Sequence, residues 1–455
     1  MADLDAIFKA YDVRGTTPDQ LDGAVAGAIG AAFARFVQDQ VGGATKVLVA
    51  RDMRPSGKEL VAAFTAGVQG QGLDVVDLGL ASTDLLYFAA GKLDAPGAMF
   101  TASHNPAQYN GLKLCLPGAR PVGEESGLRE IKAMAATVLE GGRLPGGGGP
   151  AGGREPLDLL RAFGEHVRSF VDVTSLRPLT VVADTANGMG GLVVPAVVEG
   201  LPFAVEVMYG ELDGSFPNHP ADPIQPENLR DLQARVREVG ADVGLAFDGD
   251  ADRVFLVDDQ GEPLSGSTTT AIVATRVLET HPGATILHNC ICSKAVPEVI
   301  REHGGTPVRT RVGHSFIKAV MADTGAAFGG EHSAHYYFRD NWRADSGSIA
   351  ALIVLEAISR ARVPLSELRR PFDRYAASGE LNFQVPDPRA VIERVAERYA
   401  GHDQDRLDGL TVDLGDWWFN LRPSNTEPLL RLNLEAADRA SCDARVDELR
   451  AQIQG

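Results

Sequence analysis

Basic side chains are in short supply in this chain. Of its 455 residues, 43 are Lys or Arg against 61 Asp or Glu, a formal net charge of −18. That deficit argues against a general nucleic-acid binder, whose affinity comes from neutralising phosphates. Cysteine is scarcer still. The four present, Cys115, Cys290, Cys292 and Cys442, form no C-x-x-C pair, which excludes a disulfide-stapled scaffold and a zinc ribbon and fits a reduced, cytoplasmic protein. No apolar run reaches the roughly 18 residues that a membrane span needs. The stretch Met1 to Asp12 carries Asp3, Asp5 and Lys9 among its apolar residues, so neither export nor membrane anchoring is expected. Nucleotide signatures are missing too. There is no G-x-x-x-x-G-K-[ST], and Gly188-Met189-Gly190-Gly191 is followed by Val193 where a dinucleotide fingerprint has its last glycine, so ATP and NAD are not expected ligands. Without a G-x-S-x-G elbow, acyl transfer of the hydrolase kind is unsupported.

What is present is a folded, multi-domain composition. Hydrophobic residues make up 44% and charged residues 23%, and the length allows about three or four domains, each with its own core. The segment Gly141 to Gly153 holds eight glycines and two prolines in thirteen positions, which reads as an exposed linker. Three units repeat the order strand, helix, strand, then a third strand. In the first the strands are Lys46 to Ala50, Leu73 to Leu78 and Gly97 to Thr101, and Ser56 with Glu59 has capping-box spacing. In the second they are Leu179 to Ala183, Phe203 to Met208 and Asp242 to Phe247; in the third, Ala284 to His288, Pro307 to Arg311 and Ala326 to Phe328. The fold class expected is α/β: three similar mixed α/β domains and a smaller C-terminal α+β domain around a central cleft. The boundaries expected are 1–150, 151–258, 259–374 and 375–455.

Each third strand runs into a chemically rich loop: Ser103-His104-Asn105-Pro106, Asp248-Gly249-Asp250-Ala251-Asp252-Arg253 and Gly330-Glu331-His332-Ser333-Ala334-His335. Ligands of open α/β sheets sit beyond the carboxyl ends of strands, so the three loops are expected to converge. Asp248, Asp250 and Asp252 offer three hard oxygen donors on one turn, which suits Mg2+. An EF-hand is the competitor, but Arg253 occupies its glycine position and a strand precedes the loop. Ser103 near such a site suits phosphoryl transfer, although S-H-N-P alone is also an ordinary helix-capping turn. Glu331, Ser333 and His335 alternate, and on an extended segment all three would face one side, fit to bind sugar hydroxyls. The loop Arg422 to Thr426 mixes a guanidinium with hydroxyl and amide groups; it reads equally as a phosphate grip and as a simple Asx or Ser turn.

Taken together, Tyr11-Asp12-Val13-Arg14-Gly15, Thr101 to Pro106, Asp248 to Arg253, Gly330 to His335 and Arg422 to Thr426 resemble the motifs of the α-D-phosphohexomutase superfamily, most closely its bacterial phosphomannomutase/phosphoglucomutase branch. The resemblance spans essentially the whole chain. It implies a phosphoserine at Ser103, Mg2+ held by Asp248, Asp250, Asp252 and the serine phosphate, and a catalytic hexose 1,6-bisphosphate as activator. Hexose phosphates are then the substrates, with mannose 6-phosphate and mannose 1-phosphate expected to interconvert and glucose phosphates handled as well. The alternatives are phosphoglucomutase or phosphoglucosamine mutase as the main activity, a phosphoserine-using phosphatase, and a non-catalytic sugar-phosphate sensor. Ala251 and the Thr101-Ala102-Ser103 context resemble the mannose/glucose branch more than the glucosamine branch.

The same likeness implies that Glu331 and Ser333 bind O3 and O4, and that Arg422, Ser424, Asn425 and Thr426 grip the distal phosphate. Arg14, Lys113 and Arg253 would lie near the phosphoryl groups, Tyr11 at the substrate. Lys113, if desolvated enough to titrate low, is a candidate base, and His314 and His335 are the others. Ala334 stands where the family often has glycine, and Ile291 with Lys294 replaces a differently arranged basic strand end. A monomer or weak dimer is expected.

Overall fold

The computed structural model describes residues 3–454 apart from 147–148, 424–428 and the side chain of His314. The chain folds as two compact units, Met1–Leu264 with His335–Ser366, and Ser265–Ala334 with Glu367–Gly455.

The first unit contains two sheets of the same plan. Lys46–Arg51 is a run of mostly β-branched and aliphatic residues, buried along its middle. It lies between Asp74–Leu80 and Gly97–Phe100, parallel to both. In the second sheet Thr180–Asp184 takes the same central place between Ala204–Met208 and Val243–Phe247, again parallel. In each case the next strand turns back antiparallel to the third: Tyr109–Leu116 beside Gly97–Phe100, and Val254–Asp258 beside Val243–Phe247. The third and first strands are thus neighbours, and their carboxyl ends open on the same edge.

Helices Gly23–Gln40 and Gly57–Gly70 pack together against the first sheet, where Phe64 sits 6.2 Å from Phe33 and meets Phe100 edge-on at 5.3 Å. A Cβ at Gly30 would come 2.2 Å from the Phe64 carbonyl oxygen, so this close approach requires glycine. The expected capping box does not form: Ser56 is itself helical and makes no side-chain cap. Its hydroxyl instead accepts a hydrogen bond from Asn110 Nδ2 at 2.9 Å, a tertiary contact that displaces the local one. In the glycine-rich segment Leu144 is buried, and Gly152 N–H bonds to the Gln69 carbonyl. The linker reading therefore holds only for its exposed part.

The second unit repeats the parallel triplet, with Thr285–Asn289 between Thr306–Thr310 and Phe328–Gly330. Its other half is an antiparallel sheet of five strands in the order Ala376–Phe383, Leu430–Ala436, Trp417–Pro423, Leu410–Asp413, Asp403–Asp405. Helices Pro388–Arg398 and Arg439–Gln454 cover it around Phe419, Leu421, Leu432 and Leu449. Three mixed α/β domains and a C-terminal antiparallel-sheet domain are the architecture expected. All four cysteines are buried, and among the described residues no helix is long and apolar enough to cross a membrane.

Candidate active site

In the first unit the serine loop and the aspartate loop meet. Both follow third strands of parallel triplets, so the shared topology brings their carboxyl ends together. Ser103 Oγ donates to Asp248 Oδ2 at 2.7 Å. Ser103 is buried, with a left-handed backbone (φ 49°), a strain of roughly 1–3 kcal/mol that surrounding contacts must hold. One of those contacts is its own N–H, bonded to Thr101 Oγ1 at 2.8 Å. Gly249 makes the approach possible, since a Cβ there would lie 2.4 Å from the Ser103 carbonyl oxygen.

Asp248, Asp250 and Asp252 are fully buried and bring carboxylate oxygens within 4.8 Å of one another. Crowding three carboxylates in a dry pocket has an electrostatic consequence. Burial, opposed by the Arg253 guanidinium and reinforced by Asp250, pushes Asp248 up to about 7. Asp250 goes the other way: against burial, the Lys113 ammonium holds its carboxyl below the usual range. Among the described residues the buried oxygens Asp250 Oδ1 and Asp252 Oδ1 have no hydrogen-bond partner. Hard, unpartnered oxygens at this spacing fit a small divalent cation such as Mg2+, which would relieve their repulsion.

Lys113 Nζ lies 2.8 Å from Asp250 Oδ2 and 2.6 Å from Asp252 Oδ2. Burial works to lower its pKa, but the two carboxylates outweigh it and raise it well above the ordinary lysine value. Both contacts favour the charged ammonium of Lys113 in this arrangement. Arg253 bonds to Asp248 through Nε at 2.9 Å and to His104 Nδ1 through Nη2 at 2.6 Å. Burial and the nearby Arg253 and Arg14 guanidinium groups push His104 well down, so it is a neutral ring accepting at Nδ1. Arg14 is aimed by Asp12 Oδ2 and Asn105 Oδ1, each at 2.5 Å. Tyr11, next to this pair in sequence, is half-buried.

His335 also belongs to the first unit. Its Nδ1 sits 3.0 Å from Asp345 Oδ2 and 4.0 Å from Asp252 Oδ1. Burial would lower its pKa, yet the Asp345 hydrogen bond and the Asp252 charge outweigh that and raise it. The segment before it is not extended. Ala334 is left-handed (φ 63°) and its N–H bonds to the Glu331 carbonyl at 3.0 Å, so Glu331 to His335 is a turn and the alternation expected to align three side chains is absent. The same left-handed geometry at Ala334, and at Ala251 (φ 58°), is one that glycine adopts without strain.

The remaining candidates lie in the second unit. Glu331 is buried and accepts from Gly313 N at 3.0 Å and Asn289 Nδ2 at 3.2 Å, while Ser333 is half-buried. His314 opens the helix His314–Thr324, and its side chain lies outside the described residues. Arg422 is buried at the end of its strand, with Nη2 committed to Glu380 Oε2 at 2.8 Å, so its fork is already partly engaged. Ser424, Asn425 and Thr426 lie outside the described residues.

Several groups at the serine and aspartate loops were not singled out from sequence. Thr83 Oγ1 donates to Asp250 Oδ2 at 2.6 Å and Thr83 N to the Asp250 carbonyl at 3.0 Å. Asp345 orients His335, and a buried Asp52–Arg54 pair lies under the serine loop. Thr83 and Asp52 follow the strands Asp74–Leu80 and Lys46–Arg51, and position beyond a strand's carboxyl end was the available signal.

Comparison with known proteins finds matches over nearly the whole chain. Residues 5–140, 161–261, 265–375 and 380–452 match domains I, II, III and the C-terminal domain of phosphoglucomutase/phosphomannomutase. The chain is 38% identical to a protein named for phosphohexose mutases from Xanthomonas campestris pv. campestris, covering 98% of this chain and 99% of that one. It is 39% identical to a phosphomannomutase of Salmonella typhimurium, covering 98% of each. A crystal structure of a phosphoglucomutase/phosphomannomutase family protein from Burkholderia thailandensis superposes with a TM-score of 0.89 at 31% identity, over 100% of this chain and 98% of that one. With a serine and three carboxylates assembled as such chemistry requires, and homology that runs from end to end, the chain belongs to the phosphoglucomutase/phosphomannomutase family and is a phosphohexomutase.

Proposed function

We propose that the protein interconverts mannose 6-phosphate and mannose 1-phosphate, and glucose phosphates as well, through a phosphoserine at Ser103 and a hexose 1,6-bisphosphate. The observation that carries this reading is the 2.7 Å contact of Ser103 Oγ with Asp248, beside two further buried carboxylates. In the first half-reaction the bond from phosphorus to Ser103 Oγ breaks as one to the free sugar hydroxyl forms, and the hydroxyl proton passes to a base. In the second, Ser103 Oγ attacks the other phosphorus of the bisphosphate, the bond from that phosphorus to the sugar oxygen breaks, and this oxygen takes the proton back from the base.

Asp248, Asp250 and Asp252, with an oxygen of the serine phosphate, would hold Mg2+, whose charge when bound screens the moving phosphoryl group. Arg14, Lys113 and Arg253 supply fixed positive charge where negative charge gathers in the transition state. His335 is the candidate for moving the proton: Asp345 engages Nδ1, which leaves Nε2 to exchange it. His314 remains a second candidate. Glu331 and Ser333 are assigned to the O3 and O4 hydroxyls, which glucose and mannose share, and Arg422, Ser424, Asn425 and Thr426 to the distal phosphate. Tyr11 completes the substrate contacts.

The deciding experiment incubates the protein separately with mannose, glucose and glucosamine 6-phosphates, each with Mg2+ and catalytic bisphosphate. Isomerised mannose and glucose phosphates are expected. Accumulation of inorganic phosphate alone would defeat the reading, and Ser103→Ala should lose turnover together with one phosphate of intact mass.

A further inference from the structure

Arg54 is completely buried and spends every N–H of its guanidinium on the serine loop and its own anchor. Nη2 donates to the Ser103 carbonyl at 2.8 Å and the Asn105 carbonyl at 2.7 Å. Nη1 donates to the carbonyls of Pro106 at 2.8 Å and Tyr109 at 2.9 Å. The fifth donor, Nε, goes to Asp52 Oδ2 at 3.1 Å, while Asp52 Oδ1 accepts the Arg54 backbone N–H at 2.9 Å. Asp52 is itself fully buried, and its N–H continues the parallel sheet by bonding to the Phe100 carbonyl. The Phe216 ring closes the other side, 5.1 Å from the guanidinium carbon.

Two features give this cage a purpose beyond filling space. Four backbone carbonyls from a seven-residue loop point inward at one side chain, where only a planar, five-donor group can satisfy them together. One of them belongs to Ser103, whose left-handed backbone is a conformation that L residues rarely keep unless the surroundings impose it. The peptide that follows the nucleophile is thereby tied to the sheet through Arg54 and Asp52, while no donor of Arg54 reaches Ser103 Oγ or the three aspartates.

We propose that Arg54, held by Asp52, is a positioning residue for phosphoryl transfer: it fixes the strained Ser103 loop so that Oγ faces the aspartate site. This rests on the reading of Ser103 as the phosphoryl carrier. Lysine at 54 would keep the charge beside Asp52 but offers three donors in no fixed plane, so the loop would lose its rigid mount. Substrate binding, which Arg54 does not touch, should be unaffected.

The test compares Arg54→Lys, Asp52→Asn and Ser103→Ala with the native chain, each first shown to be folded by circular dichroism and assayed well below its unfolding midpoint. Expected for Arg54→Lys is a kcat lower by roughly 100-fold, the size of effect that a misplacement of about 1 Å produces, with KM for the hexose phosphate within about twofold. Asp52→Asn keeps the guanidinium and the side-chain shape; it should lower kcat by about tenfold, again at constant KM. If Arg54→Lys yields no folded protein, Asp52→Asn decides. A native kcat in the folded variant, or a rise in KM that accounts for the whole loss, overturns the proposal. Full activity in Ser103→Ala would instead overturn the phosphoserine reading, which separates the two failures.

Discussion

Lys113 and Asp252 are joined by a 2.6 Å contact between Nζ and Oδ2, and the same ammonium reaches Asp250 at 2.8 Å. The lysine therefore neutralises two of the three carboxylates that would hold a cation, from a strand that is separate from theirs. Charge at the site is balanced by this side chain and by Arg253 on Asp248, and a bound cation would add to them.

Lys113→Met should expose that sharing. Removing one partner of a buried ion pair costs roughly 3–5 kcal/mol, and here it leaves two carboxylates facing each other. The unfolding midpoint measured in EDTA should fall, and Mg2+ should restore more stability to the variant than to the native chain. An equal Mg2+ response in both would show that the lysine does not balance the metal carboxylates.

Gly249→Ala places a methyl group 2.4 Å from the Ser103 carbonyl oxygen. The serine loop must retreat, and kcat is expected to drop by about 100-fold while circular dichroism stays native. Unchanged kcat would mean that the loop absorbs the displacement without moving Oγ.

Asp345→Asn removes the carboxylate that, with Asp252, raises the His335 pKa against burial. The His335 ring should then titrate at lower pH, followed by NMR of its Cε1 proton, and kcat should fall with it. A titration unmoved by the substitution would assign the raised pKa to Asp252 alone.

Asp84 is fully buried, and burial pushes it up to about 7, against the Ser82 and Ser346 hydroxyls that donate to it. An unfolded aspartate ionises near pH ~4, so between about 4 and 7 the folded chain binds the extra proton. Its contribution is greatest at and below pH ~4, declines as pH rises, and is spent once the folded carboxyl ionises, a total of about 4 kcal/mol. Asp84→Asn should flatten that slope: compared with the native chain, urea denaturation should find it relatively more stable at pH 8 than at pH 5. Parallel pH profiles would refute the assignment.

The parallel triplets were legible because Lys46–Arg51, Thr180–Asp184 and Thr285–Asn289 are short, buried apolar runs, each followed by turn residues and a helix. The aspartate loop was legible as a carboxylate cluster because alternating aspartates crowd charge wherever the chain places them. Other features were not. Ser56 has the spacing of a cap, yet its hydroxyl is taken by Asn110, 54 residues away. Glu331 to His335 alternates on paper, but Ala334 turns left-handed and folds the segment back. Arg54 looks like any arginine in a polar turn until four carbonyls close around it.

By itself the sequence determined which chemistry the chain carries: a serine, three carboxylates and several cations, at the ends of strands whose pattern is local. Only the tertiary structure decided the state of those groups. Which form of Lys113 and of His104 is favoured, and where Ser103 points, depend on partners that are distant along the chain and on burial that removes water. Coulomb and desolvation energies follow distance through space, which residue order does not record.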